Sequence, residues 1–122
     1  MSMDILPFRS EVLTLTPVAS GDFTPWVSPE KQVVKMGVIV QTTINAPLDG
    51  SYDLIVETGP EEGDGATQTG DQILVIEEAG TFRLQFSNPI LDRVRLRVQT
   101  DALTPSNITF AVIFVADRQI NL

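Results

Sequence analysis

Three arginines stand at alternate positions of the segment LDRVRLRVQT, as Arg93, Arg95 and Arg97. They are three of only eight basic residues in a chain whose net charge is -8. The guanidinium group is planar, stays charged and binds a carboxylate through paired hydrogen bonds, so the row could hold acidic groups. On a β-strand these side chains share one face, while the apolar residues between them point into a core.

Two sources of carboxylates fit this arginine row. The first is a neighbouring strand, on which Asp53 and Glu57 fall on the face opposite the core. Exposed ion pairs of this kind contribute about 0 to 1 kcal/mol each. The second is the surface of an acidic partner, for example Glu61, Glu62 and Asp64 of an identical subunit. The sequence leaves both sources open.

The acidic, glycine-rich segment PEEGDGATQTGD could supply oxygen ligands to a calcium ion through Glu61, Glu62, Asp64 and Asp71. It lacks the ligand spacing of an EF-hand, and acidic turns rich in glycine are common as solvated loops. It also lacks the lysine and the full spacing of a phosphate-binding loop. We therefore expect a solvated loop over residues 59–71, with no metal and no cofactor.

Catalytic chemistry has little support in the composition. The chain has no cysteine and no histidine, which excludes zinc sites built on those ligands, cysteine nucleophiles and histidine-based triads. Most acidic residues fall in turns or on outward strand positions, where a surface would place them, and we expect no enzyme. Trp26, in FTPWVSP, could stack on a sugar, although a single tryptophan between prolines is more often a packing residue.

Charge and hydropathy limit the partners. The 16 acidic residues and the pI near 4.2 disfavour nucleic acid, because phosphate binding needs a positive surface. No apolar run approaches the roughly 18 to 20 residues that would span a bilayer, so we expect no membrane partner. The first residues, MSMDILPFRSEV, lack the basic and apolar regions of a signal peptide.

Alternation with a period of two predicts the elements that position these residues. In GTFRLQFS, apolar and polar side chains alternate without a break. Turn residues separate the runs and give strands at about 10–16, 23–27, 33–44, 51–58, 72–78, 81–87, 91–99 and 107–116. The predicted fold is an all-β antiparallel sandwich, jelly-roll-like, with about seven or eight strands in a single domain over residues 10–122.

The last predicted strand is apolar on both faces. Phe110 and Phe114 mark its core face, yet the opposite face carries Ile113 and Val115. A sheet with one wet side places polar residues there, so this strand should be covered on both sides. The cover could come from the same chain or from another subunit, and we expect Ile113 and Val115 to lie in a subunit contact.

Residues 1–9 precede the first predicted strand and contain the apolar residues Ile5, Leu6 and Phe8. Pro7 keeps this segment extended. We expect an N-terminal arm whose apolar side chains lie across a neighbouring subunit or across another surface on which the chain assembles.

Residues 21–116 carry, in order, a Gly-Asp-Phe opening at Gly21, the strand VVKMGVIVQTT, the hairpin LDGSYDLIVET, the strands AGTFRLQF and RVRLRVQT, and a Thr-Pro-Ser turn before ITFAVIFV. This order of features resembles that of small virion structural proteins of tailed bacteriophages. In that family the penultimate strand tends to carry Arg or Lys at alternate positions and is followed by a turn and an apolar last strand. The turn at 101–107 here lacks the glycine expected of the family.

The resemblance implies a non-enzymatic β-sandwich protein that decorates or cements the phage head. Its implied partners are itself, as a homotrimer or another small oligomer, and the major capsid protein. It would be made in the host cytoplasm and end on the capsid surface of the virion. A tail or neck position, or a carbohydrate- or receptor-binding sandwich, remains the alternative.

Overall fold

The computed structural model of this chain describes residues 3–29, 33–59, 67–86 and 93–121. Within these ranges the secondary structure is almost entirely β, with one 3-10 turn at Pro105–Asn107. The strands are β1 Met3–Arg9, β2 Leu13–Leu15, β3 Val33–Ile44, β4 Tyr52–Gly59, β5 Thr67–Ile76, β6 Gly80–Phe86, β7 Arg93–Thr100 and β8 Ile108–Asn121.

The strands form two antiparallel sheets. The larger has the order β1-β8-β3-β6, with β2 also paired to β8, and the smaller has the order β5-β4-β7. From β3 onward every connection crosses between the sheets except the β4–β5 connection, which stays in the smaller one. This is the strand exchange of a jelly roll, and it confirms the predicted all-β sandwich.

The core lies between the two sheets and follows from the alternation. In β7, Val94, Leu96 and Val98 are buried, as the period of two predicts. Facing them from the larger sheet are Phe110 and Phe114 of β8, which are fully buried. The Tyr52 ring meets the Phe110 ring edge to face, with centroids 5.8 Å apart. Such aromatic pairs add to the energy of burial itself.

The segment expected to be an arm is, from residue 3 to residue 9, an edge strand of the chain's own sheet. β1 pairs with β8 over seven residues, from Met3 opposite Asn121 to Arg9 opposite Val115. Phe8 packs against the core. An edge strand tolerates Pro7, because the missing N–H faces no further strand. The long partner strand explains this placement, since β8 continues to Asn121 and not only to residue 116.

Two other predicted elements differ from those in the structure. Residues 23–27 form no regular strand but make two β-bridges to β7, Phe23 with Arg97 and Val27 with Val94. Pro25 has no N–H to donate, which interrupts the ladder. Residues 67–71, expected in the loop, belong to β5.

Candidate interaction surfaces

The arginine row lies on the outer face of the smaller sheet. Arg93, Arg95 and Arg97 alternate along β7 with three buried residues, so each points away from the core. They are nevertheless not freely solvated. The side chains of Arg95 and Arg97 are 14% and 28% exposed, respectively. The sheet surface beneath them and the groups beside them account for this burial.

Glu57, a residue of the same chain, supplies the carboxylate that two arginines of the row bind. β4 places it in register opposite Arg95. Nε of Arg95 donates to Oε1 of Glu57 at 3.0 Å, and Nε of Arg97 donates to Oε2 at 3.0 Å. Asp53, the other carboxylate predicted on this face, stands opposite Gln99 instead. One carboxylate therefore bridges two arginines.

Two aromatic rings from residues 21–27 complete this cluster. The guanidinium carbon of Arg95 lies 3.8 Å from the Phe23 ring centroid and 4.3 Å from that of Trp26. The guanidinium carbon of Arg93 lies 4.5 Å from the Trp26 centroid. These are cation–π contacts, which strengthen as the cation loses water. Because the Trp26 ring is already engaged within the chain, a role as a sugar platform has less support.

The backbone of residues 21–27 is fixed to β7 next to these rings. Val27 and Val94 exchange hydrogen bonds of 2.8 and 2.9 Å, and Thr24 N donates to the Leu96 carbonyl at 2.9 Å. The buried Thr24 hydroxyl accepts the Leu96 N–H at 3.1 Å, which satisfies it. The cluster formed by Glu57, the arginine row, Phe23 and Trp26 is thus an ordered layer on the sheet. Its chemistry is ion pairing and stacking.

The second surface is a groove on the outer face of the larger sheet. Gly37 has no side chain and lies in register between Val115 on β8 and Gln85 on β6. Ile39, two residues on, stands between Ile113 and Arg83. The resulting groove has a volume of about 570 Å³. This is within the range of small-ligand sites, although the groove is open along the sheet.

The outward placement of Ile113 and Val115 agrees with the sequence prediction. Both are half-buried, and β1 lies beside them as an edge strand rather than over them. The groove that they help to form was missed by sequence reasoning, because its members come from four strands. One signal was available, since the alternation of GTFRLQF already put Arg83 on the non-core side.

The groove is positive in an acidic protein. Of the outward side chains that the structure describes on these strands, the only charged ones are Arg9 and Arg83, and both are exposed. They stand on opposite edges of the face, three strand spacings apart, which is about 14 Å. In the part of the chain described, neither makes an ion pair. The next row of the sheet sets Lys35 opposite Asp117 in register, which adds no net charge.

A third surface has the opposite character and lies at β5, the edge strand of the smaller sheet. Ile73 and Val75 alternate with inward residues and are 39% and 58% exposed. Asp53 stands opposite Val75 on β4, and the exposed Glu77 and Glu78 follow the strand. We call these five residues the β5 patch. It combines apolar side chains with negative charge.

The remaining predicted site residues are placed only in part. The backbones of Ile5 and Leu6 stand in register opposite Gln119 and Arg118. Glu61, Glu62 and Asp64, the candidate calcium ligands and partner acids, lie outside the described residues. Across the ranges that are described, no three acidic side chains converge in a way that could hold a metal ion.

The sequence matches no model of a known protein family and no curated protein. In the described ranges, no helix has the length and apolar character that a membrane crossing requires.

Proposed function

We propose that this chain is a non-enzymatic structural protein of a tailed-bacteriophage virion. It decorates or cements the capsid through contacts with copies of itself and with the major capsid protein. The observation that most supports such contacts is the outer face of the larger sheet. There an apolar groove over Gly37, Ile39 and Val115 is bordered by Arg9 and Arg83.

The composition of this face is that of a protein contact surface. Contiguous apolar residues with a polar rim mark association sites on small domains, and arginine is enriched in them. The jelly roll itself is used by viral capsid proteins, lectins and enzymes, so the fold alone carries no function. The virion assignment rests on the order of features from the Gly-Asp-Phe opening to the apolar last strand.

The test is to locate the protein in particles. Virions from a culture that carries the gene are purified to constant composition, and the protein is quantified by mass spectrometry against the major capsid protein. We expect a fixed stoichiometric ratio and immunogold label on the head. Deletion of the gene should leave heads that assemble but lose resistance to heat, as the loss of a cement protein implies.

Absence of the protein from purified particles would contradict the proposal. Label on the tail or neck would keep the virion role and replace the capsid position. A glycan array tests the alternative function, carbohydrate binding. Sugar binding that disappears in Trp26→Ala, together with absence from particles, would favour a carbohydrate-binding module.

A further inference from the structure

The groove and the β5 patch are complementary in charge. The described charges of the groove are Arg9 and Arg83, whereas those of the β5 patch are Asp53, Glu77 and Glu78. All of these side chains are exposed except Asp53, which is half-buried. Opposite potentials across an interface steer association and fix its register.

The two surfaces also match in apolar character. The β5 patch presents Ile73 and Val75, which are among the exposed large apolar residues of the chain. The groove has Gly37 at its floor, buried between the side chains of Val115 and Gln85, and Ile39 and Val115 supply apolar surface to it. Apolar side chains that project from one surface and an apolar recess of about 570 Å³ in another fit one interface.

From this complementarity we infer that two copies of the chain associate head to tail, with the β5 patch of one copy seated in the groove of the next. The inference rests on the proposed function in one respect, because it names the contact between copies through which such a structural protein would assemble. Arg9 and Arg83 of one copy would bind the carboxylates of the other, and Val75 would pack against the apolar groove residues Ile39 and Val115.

A symmetric face-to-face dimer through the groove is disfavoured. In a two-fold contact the same surface meets itself, so the arginines of both copies would face each other. A head-to-tail contact avoids this repulsion because it joins two different surfaces. Such contacts close into a ring, for example a trimer, or continue as a filament, according to the rotation between copies.

The experiment exchanges charges between the two surfaces. One variant carries Arg9→Glu and Arg83→Glu in the groove, and the other carries Glu77→Arg and Glu78→Arg in the β5 patch. Each variant alone places like charges in its own contact, and its association should weaken by roughly 100-fold. An equal mixture restores attraction wherever the two variants alternate, so it should associate again, into open chains or even-numbered rings. A ring with an odd number of copies must retain one like-charge contact. Sedimentation velocity of the wild type, each variant and the mixture measures this.

Matched controls separate the contact from general effects of charge and apolarity. Ala19→Glu changes the net charge by one unit, as Arg83→Gln does in the groove, but it does so at an exposed position outside both surfaces and should leave association unchanged. Leu103→Asp alters a residue that is 89% exposed outside both surfaces, for comparison with Val75→Asp. If a charge-reversed variant fails to fold, Arg83→Gln and Glu77→Gln replace it and should each weaken association about tenfold.

Three outcomes would overturn the inference. The wild type could be monomeric at millimolar concentration, the separate variants could associate as the wild type does, or the mixture could fail to restore association. None of these bears on the presence of the protein in purified particles. A monomer that is found in virions would therefore overturn the head-to-tail contact and leave the proposed function standing.

Discussion

Glu57 and Arg95 face each other across β4 and β7, and the carboxylate of Glu57 also binds Arg97. The side chain of Glu57 is 11% exposed, so the pair is largely withdrawn from water. A charge in that position depends on its partners, because removal of one leaves the others desolvated and unpaired. Two of the alternating arginines, Arg95 and Arg97, therefore bind a carboxylate of their own chain.

Glu57→Gln should destabilise the fold by about 2 to 3 kcal/mol, because both arginines lose their counter-charge in a poorly solvated position. The measurement is urea unfolding at neutral pH. Asp53→Asn is the matched control, since Asp53 is on the same strand and face but stands opposite Gln99. It should cost less than about 0.5 kcal/mol. Equal losses in the two variants would show that the bridge contributes nothing specific.

Arg95 and Trp26 should be energetically coupled. The guanidinium carbon of Arg95 lies 4.3 Å from the Trp26 centroid, and a partly buried cation–π contact contributes about 1 kcal/mol. A double-mutant cycle with Arg95→Met and Trp26→Leu, read by urea unfolding, measures the coupling. The control cycle pairs Trp26→Leu with Arg97→Met and should be additive within about 0.5 kcal/mol. If both cycles give the same coupling, stacking on Arg95 is not its source.

The stability of the fold should fall above pH 10 because of Tyr52. Burial, with a smaller effect from the negative charge of Asp49, raises the pKa of the Tyr52 hydroxyl above its ordinary 10.0. As the pH passes 10.0, the unfolded chain loses its proton first, so stability is lost from there through the folded-state pKa. Urea unfolding on both sides of this pH measures the slope. Tyr52→Phe should flatten it, at a cost of about 1 kcal/mol for the hydrogen bond to the Pro105 carbonyl.

The pKa of the Tyr52 hydroxyl can also be measured directly. Tyr52 is the single tyrosine of the chain, so tyrosinate absorbance titrates one group. Its midpoint in the folded protein should lie above its midpoint in concentrated urea. Identical midpoints would contradict the raised pKa.

The sequence predicts a feature of this structure well when the feature depends on residues close together in the chain, and poorly when it depends on how distant strands pair. The inward set of β7 follows from local alternation, because a strand with one buried face fixes every second side chain. The presence of Glu57 on the outer face of β4 follows in the same way. Which acid meets the arginines does not, since it depends on the register between β4 and β7. That register sets Glu57 against Arg95 and Asp53 against Gln99.

The groove is a second feature that the sequence alone does not predict. Arg9, Gly37, Arg83 and Val115 share one face only because the sheet has the order β1-β8-β3-β6. Local patterns give the outward position of each residue, but the order of strands arises from packing of the whole sandwich. The N-terminal segment was expected to be an arm for a related reason. The short apolar run MDILPFR with Pro7 shows no strand pattern of its own, and it becomes a strand because β8 is long enough to pair with it.

Deletion of residues 1–8 should reduce stability, in contrast to what an arm outside the fold would do. β1 pairs with β8 along its length, and Phe8 packs against the core. Because Phe8 is half-buried, loss of its contacts alone should cost about 1 to 1.5 kcal/mol. Loss of the pairing also leaves the edge of β8 unpaired and prone to aggregation. Thermal and urea unfolding measure the loss, with deletion of residues 1 and 2 as the control that leaves β1 intact. Phe8→Ala should reproduce part of the effect. An unchanged transition after removal of residues 1–8 would mean that β1 contributes nothing to the stability of the isolated subunit.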